Sequence, residues 1–268
     1  MFLNLLLTFV NKFLNKKLFN LNELPQRVLN KISYHLQFPR NGFSRYHTDN
    51  FIKEISKKYD VKGQLLLDVG AGHQPYKKFF KYIKYESCDN EQVIEETHYD
   101  TLGTKHDFCC DINIKIPKAD NTYDFVICSE VLEHVYNPMN TISEISRILK
   151  KNGKLFISVP QCGGEHMLPH NYFNYLAPGL QHLLEKNNLK CELLEKKSGI
   201  YHLLGQILNK ITNQIFNNNK TLARIFLLPL EVFIRAIVAL FNFFLFFIDR
   251  IDKKQSWSLQ YFVIAVKV

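Results

Sequence analysis

Apolar runs and polar turns succeed one another with a steady rhythm through the middle of this 268-residue chain. The run Gln64–Val69 is short, apolar and closed by a Gly70-Ala71-Gly72 turn, which predicts a first buried strand. Tyr76–Ile83 reads as a short helix, Tyr85–Asp89 as a second strand and Asp107–Ile112 as a third. Tyr123–Cys128 is continuously apolar, the pattern of a central strand covered on both faces. Asn137-Pro138 then supplies a helix cap and a proline at the first helical position. Ile142, Ile145 and Leu149 give that helix its buried stripe, and Gly153 falls just past its end. Lys154–Pro160, Leu189–Lys196 and Ser258–Val268 read as three further strands. Strand, helix and strand in alternation predict an α/β fold built on a doubly wound parallel sheet.

The flanks follow other patterns. Residues 1–60 predict an N-terminal helical extension, 61–198 the core, 199–256 an apolar helical insertion and 257–268 the last strand of the core. Leu3, Leu7, Val10, Leu14 and Leu21 share one helical stripe, with Lys12, Asn15 and Lys16 off it. That stripe suits a helix lying on a membrane or one packed on the core; it lacks the basic start and small-residue cleavage site of a signal peptide. Asn22–Asp60 is polar and helical, broken at Pro25, Pro39 and Gly42, with Arg40, Arg45, Tyr46 and His47 within reach of a pocket. In the insertion, Ile225–Ile248 is apolar except for Pro229, Glu231, Arg235 and Asn242, and Ala236–Ile248 is thirteen residues with one polar member. A membrane span needs about twenty. Glu231 and Arg235 stand four apart and can pair. A hairpin at a membrane interface or gripping substrate is favoured over a core-packed helix, and a single span would strand the last strand on the wrong side.

Composition narrows the chemistry. The formal net charge is +9, mostly lysine spread along the chain. It suits nucleic acid, an anionic membrane, an acidic substrate or simply a solvated surface. No stripe of arginines and aromatics supports nucleic acid. Six cysteines form no Cys-x-x-Cys pair and several fall in strands, which points to free thiols in a reducing compartment and so to the cytoplasm. His106, Cys109 and Cys110 lack the second half of a metal site, and no metal is expected. The glycine turn lets a ligand approach backbone closely, but Pro75 stands where a dinucleotide fingerprint needs its third glycine. Asp89, nineteen residues after Gly70, is placed to accept from both hydroxyls of a ribose. Asp111 and Ile112 are placed for an adenine, one on its amino group and one on its face.

Asp68-Val69-Gly70-Ala71-Gly72 resembles the first motif of class I S-adenosylmethionine-dependent methyltransferases of the type 11 kind. Tyr123–Val135, with Ser129-Glu130-Val131-Leu132-Glu133-His134, is similar to their fourth-strand motif, and Lys151–Leu155 to their passage into strand five. One position departs: Gln74 stands where many members have a further glycine. The resemblance implies a Rossmann-like seven-stranded sheet whose last strand runs antiparallel between strands five and six. It implies S-adenosylmethionine as cofactor, with Gly70, Ala71 and Gly72 against the methionine portion and Asp68 near its amino end. It further implies Asp89 on the ribose, Asp111 and Ile112 on the adenine, and Ser129 and Glu130 beneath the sulfonium.

His73–Tyr76, Pro169–Phe173, Gly179–Leu184 and Leu204–Gln206 look like a bacterial subgroup associated with cell-surface polysaccharide or glycolipid synthesis. That implies O-methylation of a saccharide, free or lipid-linked, at the inner face of the membrane. A hydroxyl acceptor needs a base. His134 and His170 follow the carboxyl ends of strands four and five and are the candidates, ahead of Glu165 and His166. A quinone, another lipid, RNA or protein as acceptor, and a non-catalytic membrane-associated binding protein of the same fold, are the other readings. The oligomeric state is not legible.

Overall fold

The computed structural model describes residues 24–39, 42–97, 104–217 and 221–268. The expected Met1–Leu21 helix and Arg40 lie outside them. Helices α1 (Leu24–His35) and α2 (Gly42–Tyr59) precede strand β1 (Leu65–Val69). Then follow β2 (Lys84–Asp89), α3 (Glu91–Thr97), β3 (Phe108–Cys109), β4 (Tyr123–Ser129), α4 (Pro138–Ile148) and β5 (Leu149–Pro160). Helix α5 (Ala177–Glu185), β6 (Leu189–Lys196), α6 (Ile200–Asn217), α7 (Thr221–Ile248) and β7 (Gln260–Lys267) come after these among the described residues.

The seven strands form one sheet in the order β3-β2-β1-β4-β5-β7-β6. Every pairing from β3 to β5 is parallel, and β7 runs antiparallel to both of its neighbours. This is the Rossmann-like, doubly wound arrangement that the strand pattern predicts. Central strands bury both faces, so alternate residues serve different cores. Leu67, Val69, Val126 and Ile157 join Ile142 and Ile145 of α4 and Leu180 and Leu184 of α5 on one side. Leu66, Ile127 and Phe156 meet Phe51, Ile52 and Ile55 of α2 on the other. Asn137 caps α4 by accepting from the Asn140 N–H at 3.3 Å, with Pro138 at the first position.

Local chemistry shortens three expected elements. The helix expected over Tyr76–Ile83 is a single 3-10 turn, Lys77–Phe79. The Asp60 carboxylate accepts from the N–H groups of Lys81, Tyr82 and Ile83 at 2.8–2.9 Å and so draws that stretch out of helical geometry. The strand expected over Asp107–Ile112 is only Phe108–Cys109, because Asp111 starts a turn closed by the Ile114 N–H. Helix α4 stops at Ile148, five residues before Gly153, and β5 begins at once, taking up the difference as a shift in its register with β4.

The insertion is a pair of helices, α6 and α7, and the side chains facing across the pair run in opposite directions: Asn213 with Arg235, Asn209 with Asn242, His202 with Asp249. The chain therefore leaves the sheet and returns on the same side. The objection that a single crossing would misplace β7 does not apply to a hairpin.

Candidate active site

The glycine turn at the carboxyl end of β1 forms the floor of a crevice. Gly70 and Gly72 have φ of +65° and +51°, the left-handed region open to glycine. Gln74 adopts φ +52° as well, so the residue standing in place of a glycine takes a glycine-like conformation. Its side chain holds it there, donating to Ser87 Oγ at 3.0 Å and to the Lys105 carbonyl at 2.8 Å. Asp89, at the end of β2, accepts from the Gly72 N–H at 2.7 Å and so ties the second strand to the turn.

Two cavities of about 180 and 60 Å³ open on this turn and share Gly70, Asp89, Val93, Val131 and His134. The larger is bounded by Ala71, Gly72, Ser129, Glu130, Tyr76 and Arg45. The smaller runs on to Asn90, Asp111, Ile112 and Asn113. A single elongated crevice thus has a carboxylate at its middle, an acid and an aliphatic side chain at one end, and Arg45 with Glu130 at the other. Glu130 sits at φ +55°, and its Oε1 is enclosed without a hydrogen-bond partner. Burial raises its pKa above the ordinary carboxylate value, against the smaller opposing effects of a Ser158 hydrogen bond and of Arg45. Arg45 Nη1 donates to Tyr76 Oη at 2.9 Å; Tyr76 lies 3.2 Å from Ser129, which lies 2.9 Å from Ser158.

A loop from β5 closes one wall. The Glu133 carbonyl accepts from the Tyr172 N–H at 2.8 Å, and Tyr175 Oη donates to the Leu132 carbonyl at 2.8 Å. The His170 carbonyl lies 2.5 Å from His134 Nδ1. That contact requires a proton on Nδ1, which leaves Nε2 with its lone pair. Burial lowers the His134 pKa, so the ring is neutral at neutral pH. Met167 of the same loop reaches the crevice.

The expected site residues divide by position. Gly70, Ala71, Gly72, Asp89, Asp111, Ile112, Ser129, Glu130 and His134 all line the crevice. Asp68 lies beneath it, fully buried and hydrogen-bonded by Tyr85 Oη, and burial lifts its pKa to about 7. The His170 ring faces away, 2.6 Å from Glu96 of α3 and 3.2 Å from Tyr172 Oη, so only its carbonyl acts toward the crevice. Tyr76 and Met167 line it without having been singled out; Tyr76 closes the His73–Tyr76 motif, which was its available signal. Among the described residues one trio of potential metal donors meets, Glu133, His134 and His166, within 4.8 Å of one another.

The geometry fits S-adenosylmethionine. The unpartnered, enclosed Glu130 oxygen and nearby Arg45 are complementary to an ammonium and a carboxylate. The mid-crevice Asp89 suits a diol, and Asp111 with Ile112 suits an adenine edge and face.

A family model described as a methyltransferase domain matches residues 34–195. An uncharacterized protein of Methanocaldococcus jannaschii is 49% identical over 109 residues, covering 40% of this chain and 46% of that protein. A ubiquinone biosynthesis O-methyltransferase of Coxiella burnetii is 27% identical over 113 residues, covering 40% of this chain and 48% of that protein. The chain thus spans about half the length of these curated relatives. Among solved structures, the 4+2 cyclase SpnF superposes with a TM-score of 0.51 at 18% identity, over 82% of this chain and 80% of that one. A sarcosine dimethylglycine methyltransferase candidate from Galdieria sulphuraria does so with a TM-score of 0.50 at 14% identity, over 82% and 84%. A cyclase and a methyltransferase share this architecture, so these two superpositions speak to the fold alone.

Proposed function

Given that this chain belongs to the methyltransferase-domain family, we propose that it transfers a methyl group to a hydroxyl of a lipid-linked saccharide, with His134 as the base. Its cofactor is S-adenosylmethionine. That molecule supplies a methyl already activated on a sulfonium, so the chain's own residues have to bind, align and manage one proton. Gly70–Gly72, Asp89, Asp111, Ile112 and Glu130 would hold it. His134 Nε2, unprotonated because Nδ1 donates to the His170 carbonyl, would take the proton of the acceptor hydroxyl. The docked loop through Met167 would keep water from the reacting side.

The observation that carries this reading is the continuity of the crevice: His134 and Asp89 border both of its cavities. The saccharide rests on the short motifs His73–Tyr76 and Pro169–Phe173. A second reading, methylation of a phenolic hydroxyl on a quinone precursor, is favoured by the name of the Coxiella relative.

Incubation with methyl-labelled S-adenosylmethionine and a cell-envelope extract tests both. Label in a saccharide-bearing lipid supports the first reading, and label in a phenolic lipid the second. Cofactor binding by calorimetry with no labelled product in either fraction would reduce the protein to a binding module.

A further inference from the structure

Helix α7 is built inside out. Arg224, Glu231, Arg235 and Asn242, with Asp249 directly after the helix, recur at intervals of seven, four, seven and seven, and all are buried. They face α1 and α6 in a polar seam. Arg224 donates to both Glu231 oxygens at 2.9 and 2.8 Å and to Asn30 at 2.7 Å, and Arg235 donates to Glu231 at 2.9 Å and to Asn213 at 2.8 Å. Asn242 donates to Asn209 at 3.0 Å. The outward side is apolar: Phe226, Phe233, Leu240, Phe244 and Ile251 are each more than half exposed. Helix α6 repeats the inversion, with His202, Asn209 and Thr212 inside and Leu204, Ile207, Ile211 and Ile215 outside. A water-facing helix sorts its residues the other way. So large a contiguous apolar surface marks a partner that is itself apolar.

The charge at the foot of the hairpin says which partner. A recess of about 470 Å³ lies where α6 begins and α7 ends. Four cations border it, Lys53, Lys57, Lys197 and Arg250, against two acids. Two charges are therefore in excess, and both acids are turned to partners inside the protein. Glu54 is held by Lys197 at 2.6 Å, and Asp249 accepts from the N–H groups of Gly199 and His202 at 2.8 and 3.0 Å. Among the described residues no carboxylate is paired with Lys53, Lys57 or Arg250. An apolar surface rimmed by surplus cations complements a bilayer with anionic headgroups.

We propose that the α6–α7 hairpin is embedded in an anionic phospholipid bilayer, entering and leaving by one face, and that the basic recess at its foot seats a lipid phosphate. This does not rest on which acceptor is methylated. The test is flotation of the full chain with vesicles of phosphatidylcholine alone or of phosphatidylcholine and phosphatidylglycerol at three to one. The wild type floats with both and binds the mixed vesicles more tightly. Phe233→Glu/Phe244→Glu, which alters only exposed positions, stays at the bottom of the gradient. Lys53→Ala/Lys57→Ala/Arg250→Ala loses about fivefold in affinity for mixed vesicles per charge removed and is unchanged on phosphatidylcholine. Retained binding of S-adenosylmethionine in calorimetry on the same preparations shows that each variant is folded. A wild type left at the bottom of the gradient overturns the proposal, as does a Phe233/Phe244 variant that floats normally. So does a face that proves to be covered by a second copy, shown by a dimer that the same variant splits. Equal losses on both vesicle types would remove the phosphate seat.

Discussion

Adding one carbon at Gly70 should damage both fold and cofactor binding. The backbone there has φ +65°, and a methyl built on it lies 2.6 Å from Val131 Cγ2 and 2.9 Å from Val131 Cγ1. Two costs add. A residue bearing a Cβ in the left-handed region is worse off by about 1–2 kcal/mol. Forcing a methyl against Val131 in a packed wall costs about 1–3 kcal/mol more. Gly70→Ala should therefore lose about 2–5 kcal/mol of unfolding free energy, seen as a lower denaturant midpoint at unchanged slope. Val131 adjoins Glu130, which itself sits at φ +55°, so displacing Val131 also disturbs the enclosed Glu130 carboxylate and weakens S-adenosylmethionine binding. The double variant Gly70→Ala/Val131→Ala separates the costs. It removes the two Val131 methyls that would be struck and leaves the backbone strain, so the pair should be non-additive by about 1–3 kcal/mol. A single variant within about 0.5 kcal/mol of wild type, or strict additivity in the pair, would refute the steric account.

Asp89→Ala should weaken S-adenosylmethionine binding by tenfold or more in calorimetry, since a hydrogen bond to a charged group contributes about 1.5–3 kcal/mol; unchanged affinity would dismiss the ribose role. His134→Gln should cut methyl transfer by about 10²–10⁴ while altering cofactor affinity far less. In the wild type, activity should rise with pH along a limb lying below the ordinary histidine pKa of 6.5 and then stay flat, because burial lowers the His134 pKa; a limb above that value counts against His134 as base. Asp68 holds its proton to about pH 7 in the folded state but only to 3.8 when unfolded. Between those values the native state binds more protons, so this group withdraws stability as pH rises. Asp68→Asn should accordingly be more stable relative to wild type at pH 8 than at pH 5 in urea titrations, and a constant difference would mean that Asp68 ionises freely.

Much of this was legible because period and punctuation agree. Tyr123–Cys128 is apolar throughout and proves central, and Asn137-Pro138 caps and opens α4 as its residue types require. The acids at strand ends, Asp89 and Asp111, come together because parallel strands present their carboxyl ends along one edge. What stayed hidden depended on partners far off in sequence. Nothing near Tyr76–Ile83 announces that Asp60 captures three of its N–H groups. Likewise, His170 looks like a base until Glu96 and Tyr172 are seen to hold its ring. The α7 seam was readable as a seven-four-seven-seven spacing of polar residues, but counting apolar residues conceals it. A helix so rich in leucine and phenylalanine does not show which side faces in until the facing residues of α6 are seen.

The order of the strands carries a consequence for synthesis and trimming. Among the described residues strand β6 pairs its backbone only with β7, and β7 follows all six other strands in the chain. While the ribosome is still producing the hairpin, β5 has an open margin and β6, packed on α5, has no strand to pair with. Removing residues 260–268 would thus not shave a border; it would take away the strand that pairs β6 with the sheet and leave β6 held by its packing on α5 and the hairpin by its bonds to α1 and α2.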